Sequence, residues 1–245
     1  MGEIRLSAHG LTDTGLCRTS NEDSWFVRCE AGCFLVADGM GGAAAGEIAS
    51  RIFMRIAEQA GGHPAERTRE EAITQLKESF ITANAAIRKH VAKHPDHRGM
   101  GCTAELLLVH ERGFVLGHIG DSRVYRLRQG HLARLTKDHS LVQEQVDQGL
   151  ISQDEARTHR LRNVIIRAVG VNEQLEIDII QGGLQAGDLF LLCSDGLTDM
   201  VADDVMQDIL LSQAALPEQA AQLIEQANTG GGRDNITVVL VRVEP

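Results

Sequence analysis

Four segments of this chain share one design, in which a carboxylate stands in a tight turn where an apolar run stops. They are Asn21-Glu22-Asp23, Ala37-Asp38-Gly39-Met40-Gly41-Gly42, Ser194-Asp195-Gly196 and Arg233-Asp234-Asn235, and Asp121 in Gly120-Asp121-Ser122 makes a fifth. Three of them follow strongly apolar runs, FLVADG, VLGHIGD and LFLLCSDG. Short apolar runs bounded by turn residues read as strands buried in an interior. An Asp-Gly pair alone is ordinarily just a turn, because Asp caps its own backbone and Gly supplies a positive φ. Five such turns in one chain demand more. The strands need a core against their faces, and their charged ends need a partner, because an unpaired buried charge is expensive.

The remaining pattern says how such strands are arranged. Glu3 to His9, Ser24 to Arg28 and Cys33 to Ala37 read as strands, and Ile48, Ile52 and Ile56 predict a helix from Ala44 to about Glu58. A longer helix is predicted from about Glu66 to Lys93, with a core stripe of Ile73, Leu76, Phe80, Ala83 and Ile87, closed by Pro95. Four short strands follow as a meander, at Ala104 to Val109, Phe114 to Ile119, Val124 to Leu127 and Leu132 to Leu135. Residues 139–163 are polar, broken by Gly149 and without a core pattern, which suits short helices or a lid. Strands return at Leu175 to Ile180 and Leu189 to Cys193, then helices around Ala202 to Leu211 and Pro217 to Asn228, then a last strand, Ile236 to Val243. Strands in antiparallel order with helices in pairs between them make this an α+β chain and not a doubly wound sheet. With no internal repeat, no linker and only four prolines, a single domain over residues 1–245 is expected.

Composition narrows the partners. Lys and Arg number 24 against 34 Asp and Glu, a net charge of −10, which argues against a surface that tracks nucleic acid or anionic lipid. At 43% hydrophobic and 24% charged the chain is an ordinary globular protein, and at 3% aromatic its interior must be filled by aliphatic side chains. The N-terminus does not resemble a signal peptide and no apolar run approaches the roughly 18 residues of a membrane span, so a cytoplasmic protein is expected. The five cysteines are scattered without a CxxC pair, which suggests reduced, mostly buried thiols. No coiled-coil seam calls for a dimer, and a monomer is expected.

If packing gathers the strand ends, several carboxylates repel at close range, and a divalent cation is the economical remedy. Oxygen-only donors favour Mg2+ or Mn2+ over Zn2+. A pair of such ions can activate water and hold a phosphate for in-line displacement, and Arg18 could clamp that phosphate in a bidentate manner. The carboxylate set, in its order, resembles the metal-dependent protein phosphatases of the PPM (PP2C-like) family in their short bacterial form. The pieces that carry the resemblance are RTSNED (18–23), VADGMGG (36–42), GCTAELL (101–107), GHIGDSRVYRL (117–127), LTKDHS (135–140), LLCSDGLTDMV (191–201) and GGRDNITVVLV (231–241).

The resemblance implies a four-layer α-β-β-α sandwich of two antiparallel sheets and a serine/threonine phosphatase that uses Mn2+ or Mg2+, two ions with a weaker third. It implies that Asp38 bridges the two metals, with the Gly39 carbonyl on one and Asp195 and Asp234 completing the other. Glu22 and Asp23 would act through metal-bound waters, Arg18 would hold the substrate phosphate, and Asp121 with Asp195 would form the third position. Asn235 would support these ligands from behind, and residues 139–163 would be the variable flap beside the site. Partners implied are phosphoserine and phosphothreonine proteins, in the circuit of a Hanks-type kinase. Where the best-known members have a histidine after Asp-Gly, this chain has Met40, which cannot donate a proton. Leaving-group protonation is then open between a metal-bound water, His139 and His159. Two rival readings are a two-metal phosphoesterase acting on small molecules and a binding module on the same fold that has lost catalysis. Among other signals, His118 reads as a strand histidine, and His90, His94 and His97 as a solvated helix end despite their HxxxH spacing.

Overall fold

In the computed structural model residues 5–41, 45–60 and 62–244 are described. The elements run β1 (Leu6–Asp13), β2 (Asp23–Arg28), β3 (Cys33–Met40), α1 (Ala45–Ala57), α2 (Arg69–Lys93), β4 (Gly101–Cys102), β5 (Ala104–His110), β6 (Gly113–Ile119), β7 (Arg123–Arg128) and β8 (His131–Arg134). They continue as α3 (Leu141–Asp147), α4 (Gln153–Thr158), β9 (Asp178–Gly183), β10 (Leu189–Cys193), α5 (Asp195–Thr198), α6 (Asp203–Leu211), α7 (Leu216–Thr229) and β11 (Ile236–Val243). One sheet has the order β2-β3-β5-β6-β9, with β4 added to the end of β3, and the other has the order β1-β11-β10-β7-β8. Every strand pairing in both is antiparallel.

Three apolar layers hold the sandwich together, and the two-residue period of the strands decides which side chain enters which. Along β3, Cys33, Leu35 and Ala37 face α1 and α2, where they meet Phe53, Leu76 and Phe80. Their neighbours Phe34 and Val36 face the other sheet, joining Leu107, Leu116, Leu192, Val239 and Val241, and the Phe114 and Phe190 rings meet there edge to face at 5.0 Å. On the far side Leu191, Val238 and Leu240 pack against Met206, Leu223 and Ala227 of α6 and α7. Each fully buried Leu or Phe contributes about 1.5–3 kcal/mol relative to exposure, so the interior is built from many aliphatic increments.

Local chemistry sets the boundaries. The long helix α2 starts at Arg69, not at Glu66, because Thr68 caps it and Glu71 returns a bond to the Thr68 amide. Of the expected N-terminal strand Glu3 to His9, Glu3 and Ile4 lie outside the described residues, and the strand runs from Leu6 on to Asp13, in register with β11. The expected strand at Leu175 to Ile180 lies later, at Asp178–Gly183, while Leu175 and Ile177 pack as a loop on the α1–α2 layer. Between β8 and β9 the chain makes an excursion carrying α3 and α4, capped by Ser140 and Ser152.

Candidate metal centre

The two sheets end together at one edge of the sandwich, and the carboxylates come from both. Asp38 continues the inward row Phe34-Val36 at the end of β3, opposite Asp23 of β2 in register. From the other sheet, Asp195 opens α5 where β10 stops, and Asp234 lies in the turn before β11. Asp121 occupies the turn that carries the chain from β6 in one sheet to β7 in the other.

Their electrostatics show that they share one space. Loss of solvent, then the charges of Asp23, Asp195, Asp121 and Asp234, hold the Asp38 carboxyl well above the usual carboxylate range. Asp195 is raised in the same way, by burial and by Asp121, Asp199, Asp234 and Asp23. Burial and Asp138 push Asp121 up to about 7. Asp23 rises to about 6 through burial, although the hydroxyls of Thr237 and Ser194 donate to its Oδ2 at 2.6 and 2.8 Å and pull the other way. Burial also raises Glu22, against the favourable charge of Arg18. At the exposed rim, Arg18 Nη2 donates to Asp234 Oδ2 at 2.6 Å.

Uncharged side chains hold this set in place. Asn235 accepts the Glu22 amide on Oδ1 at 2.8 Å and donates through Nδ2 to the carbonyls of Thr14 and Ser20, which shapes the 14–22 loop. Thr103 fixes the Asp38 backbone from both directions: its amide donates to the Asp38 carbonyl at 2.8 Å and its hydroxyl accepts the Asp38 amide at 3.0 Å. The same hydroxyl lies 2.8 Å from Ser122 Oγ, beside Asp121. Gly39 and Gly46 let β3 and α1 approach closely, since a Cβ on Gly46 would lie 2.3 Å from Glu22 Oε2 and 2.7 Å from the Gly39 backbone. Thr103, Ser122, Ser194, Thr237 and Gly46 were given no role in the sequence reading. The signal was there for four of them: each is a small hydroxyl residue one to three positions from a turn carboxylate or inside a quoted block.

A hard divalent cation suits these residues. The donors are all oxygen, and Asp23 Oδ1, Asp121 Oδ1 and Asp195 Oδ1 are buried without a hydrogen-bond partner. Among the described residues no group of three or more His, Cys, Asp or Glu side chains is already arranged to hold an ion.

The Protein phosphatase 2C family profile matches residues 18–228. The chain belongs to the protein phosphatase 2C family. It is 40% identical over 240 residues to the serine/threonine phosphatase stp of Listeria welshimeri, which covers 96% of this chain and 95% of that protein. The crystal structure of the Mycobacterium tuberculosis serine/threonine phosphatase PstP/Ppp aligns with a TM-score of 0.92 at 38% identity, covering 99% of this chain and 100% of that one. The PstP catalytic domain in complex with two manganese ions aligns at 0.89 with 37% identity, covering 99% and 100%.

In this phosphatase 2C fold a cavity of about 510 Å³ opens beside the carboxylates. It is lined by Asp121 and Asp195, by Gln143, Arg157 and Asn163 of the excursion, and by Thr198 and Asp203. Arg162 and Asp199, both in its lining, form an ion pair at 3.4 Å. His139 is buried at the base of the excursion, beside His118. Burial and the neighbouring His118 lower it to about 4, so it is neutral near pH 7, and its Nδ1 accepts the Gly120 amide. His118 is a strand histidine, buried with Nδ1 2.5 Å from Glu105 Oε1 and Nε2 2.7 Å from the Lys137 carbonyl. The His90, His94 and His97 rings stack on one another at the end of α2, with centroids 4.5 to 5.6 Å apart. Among the described residues no helix is long and apolar enough to cross a membrane.

Proposed function

We infer that this chain is a metal-dependent protein serine/threonine phosphatase that hydrolyses phosphoserine and phosphothreonine in proteins. The observation that carries the reading is the gathering of Asp23, Asp38, Asp121 and Asp195 where the two sheets end, with three carboxylate oxygens left unpartnered. The relatives named above are serine/threonine phosphatases, and one holds two manganese ions. In this chain Asp38, the Gly39 carbonyl, Asp195 and Asp234 would hold a pair of Mn2+ or Mg2+ ions, Glu22 and Asp23 would support them through water, and Asp121 with Asp195 would offer a third, weaker position. When bound, such ions supply an activated water and positive charge for in-line displacement at phosphorus.

The chain's own residues do the rest. Arg18 is half exposed beside Asp234, so its guanidinium can turn from that carboxylate to a phosphate without breaking the core. Asn235 and Thr103 keep the Glu22 and Asp38 backbones where their carboxylates must act. The cavity between residues 139–163, read as the flap, and the α5–α6 region would take the peptide on either side of the phosphorylated residue. The reading extends to a single domain over 1–245, monomeric and cytoplasmic, acting on products of serine/threonine kinases.

The test is hydrolysis of p-nitrophenyl phosphate and of a phosphothreonine peptide in Mn2+, in Mg2+ and in EDTA. Both substrates should be turned over with metal and neither in EDTA. Asp38→Asn should lower turnover by more than about a hundredfold, since removing even an outer-shell partner of a metal ligand costs up to about that factor. Full activity of that variant, or hydrolysis in EDTA, would overturn the reading. Turnover of the small ester without the peptide would turn it toward small-molecule substrates.

A further inference from the structure

The excursion that carries α3 and α4 returns to the sandwich at its own starting point. The His139 carbonyl accepts the Ile166 amide at 2.9 Å, Ser140 bridges Ile165, and the Leu141 amide donates to the Val164 carbonyl at 2.9 Å. At this closed base sits His139, whose side chain is almost wholly buried. Its amide donates to the Gly120 carbonyl at 2.7 Å, and its ring Nδ1 accepts the Gly120 amide at 3.2 Å. Both polar groups of the Gly120 backbone are therefore satisfied by one residue of the flap base.

Gly120 needs that support. Its φ is +114°, and a Cβ there would lie 2.5 Å from the Thr103 side chain, so no larger residue can stiffen the turn from within. The histidine ring is itself held from the other sides. Its Nε2 lies 3.3 Å from Asp178 Oδ2 and 3.4 Å from Arg167 Nη1, and Arg167 itself pairs with Asp178. The ring packs on that of His118 at 4.5 Å, and His118 is anchored by Glu105 and the Lys137 carbonyl. The residue after Gly120 is Asp121, and the chain beyond His139, from Ser140 to Asn163, lines the same cavity as Asp121.

We propose that His139 is a positioning residue, the pin that joins the flap to the Asp121 turn, so that the Asp121 carboxylate and the peptide-facing wall of the cavity keep one fixed relation. The assignment of Asp121 and the flap to the site rests on the phosphatase reading; the pin itself does not. A substrate that reaches both the carboxylates and the flap wall depends on that relation. An aryl phosphate, too short to reach the wall, does not.

Two measurements test this. The first is amide hydrogen exchange of the protein in EDTA, which needs no catalysis. In His139→Leu, the Gly120 and Ile166 amides should exchange at least about tenfold faster, because Gly120 loses its acceptor in a buried turn. In His139→Asn, whose Oδ1 can stand in for Nδ1, their protection should return to within about threefold of the parent. The second is steady-state kinetics with Mn2+. In His139→Leu, KM for a phosphothreonine peptide should rise about tenfold, at least three times as much as KM for p-nitrophenyl phosphate, with recovery in His139→Asn. Unchanged protection at Gly120 in the leucine variant would overturn the pin. Equal losses on both substrates without recovery in the asparagine variant would reduce His139 to a merely structural residue and also overturn it. If the parent protein hydrolyses neither substrate, it is the phosphatase reading that fails, and exchange at Gly120 still decides the pin.

Discussion

Asp23 and Asp121 illustrate what the site costs the protein when no cation is bound. An unfolded chain titrates its aspartates near about 3.9, whereas the folded protein holds Asp23 near about 6 and Asp121 near about 7. Between those values the folded state binds more protons than the unfolded state, so stability is greatest below the unfolded pKa and is lost as pH rises through the folded one. In EDTA the melting temperature should therefore fall between about pH 5 and about pH 7.5, and Asp121→Asn should flatten the fall. Saturating Mn2+ should remove most of it, because the cation replaces the protons and binds only the folded state. A melting temperature in EDTA that is level or rising over that interval would contradict the account. The residues that position the carboxylates were the hardest to read from sequence. Thr103 and Ser194 look like ordinary strand hydroxyls until the fold brings Asp38 and Asp23 to them.

At the scale of elements, the close packing of α1 on β3 bears on the carboxylates of the candidate metal centre. The sequence marked α1 by Ile48, Ile52 and Ile56, yet these are only partly buried, and the seam against the sheet is Ala45, Gly46, Ala49, Ser50, Phe53 and Ala57. Small residues let the helix lie close enough for Gly46 to meet Gly39 and the Glu22 carboxylate. A count of hydrophobicity weights the isoleucines and overlooks the alanines, so the helix was legible but its buried face was not. Gly46→Ala should destabilise the protein by about 1–3 kcal/mol in urea unfolding, the cost of overpacking. It should also weaken Mn2+ binding measured by calorimetry, because the inserted methyl displaces either Glu22 or the end of β3. Unchanged unfolding and unchanged binding would mean that α1 shifts freely, and that its approach does not set the site. The short β4 and α5 were also missed, since two and four residues are too few for any period to show.

For the whole molecule, the centre belongs to neither sheet. Asp23 and Asp38 ride on one, Asp195 and Asp234 on the other, and the apolar layer between them sets their separation. Phe190, Phe114 and Phe34 are the large, fully buried side chains of that layer, and the first two are in edge contact. Phe190→Ala should cost about 3–5 kcal/mol of unfolding free energy. It should also lower Mn2+ affinity more than a surface substitution of equal size does, because the sheets can then approach or slide. Loss of stability with cation affinity fully retained would show that each half of the centre is held by its own sheet.

The sequence alone determined the strand and helix order, the antiparallel α+β class and the turn carboxylates themselves, because periodicity and turn chemistry are local and act within a few residues. Seven blocks in family order also carried the phosphatase reading before any coordinate. What only the tertiary structure decided is relational. It placed Asp38 against Asp23, Asp121 and Asp195, paired Arg18 with Asp234, lowered the His139 imidazole and made it the partner of Gly120. Those outcomes depend on which side chains from distant segments share a desolvated space, and both the raised carboxylates and the lowered imidazole are consequences of that sharing.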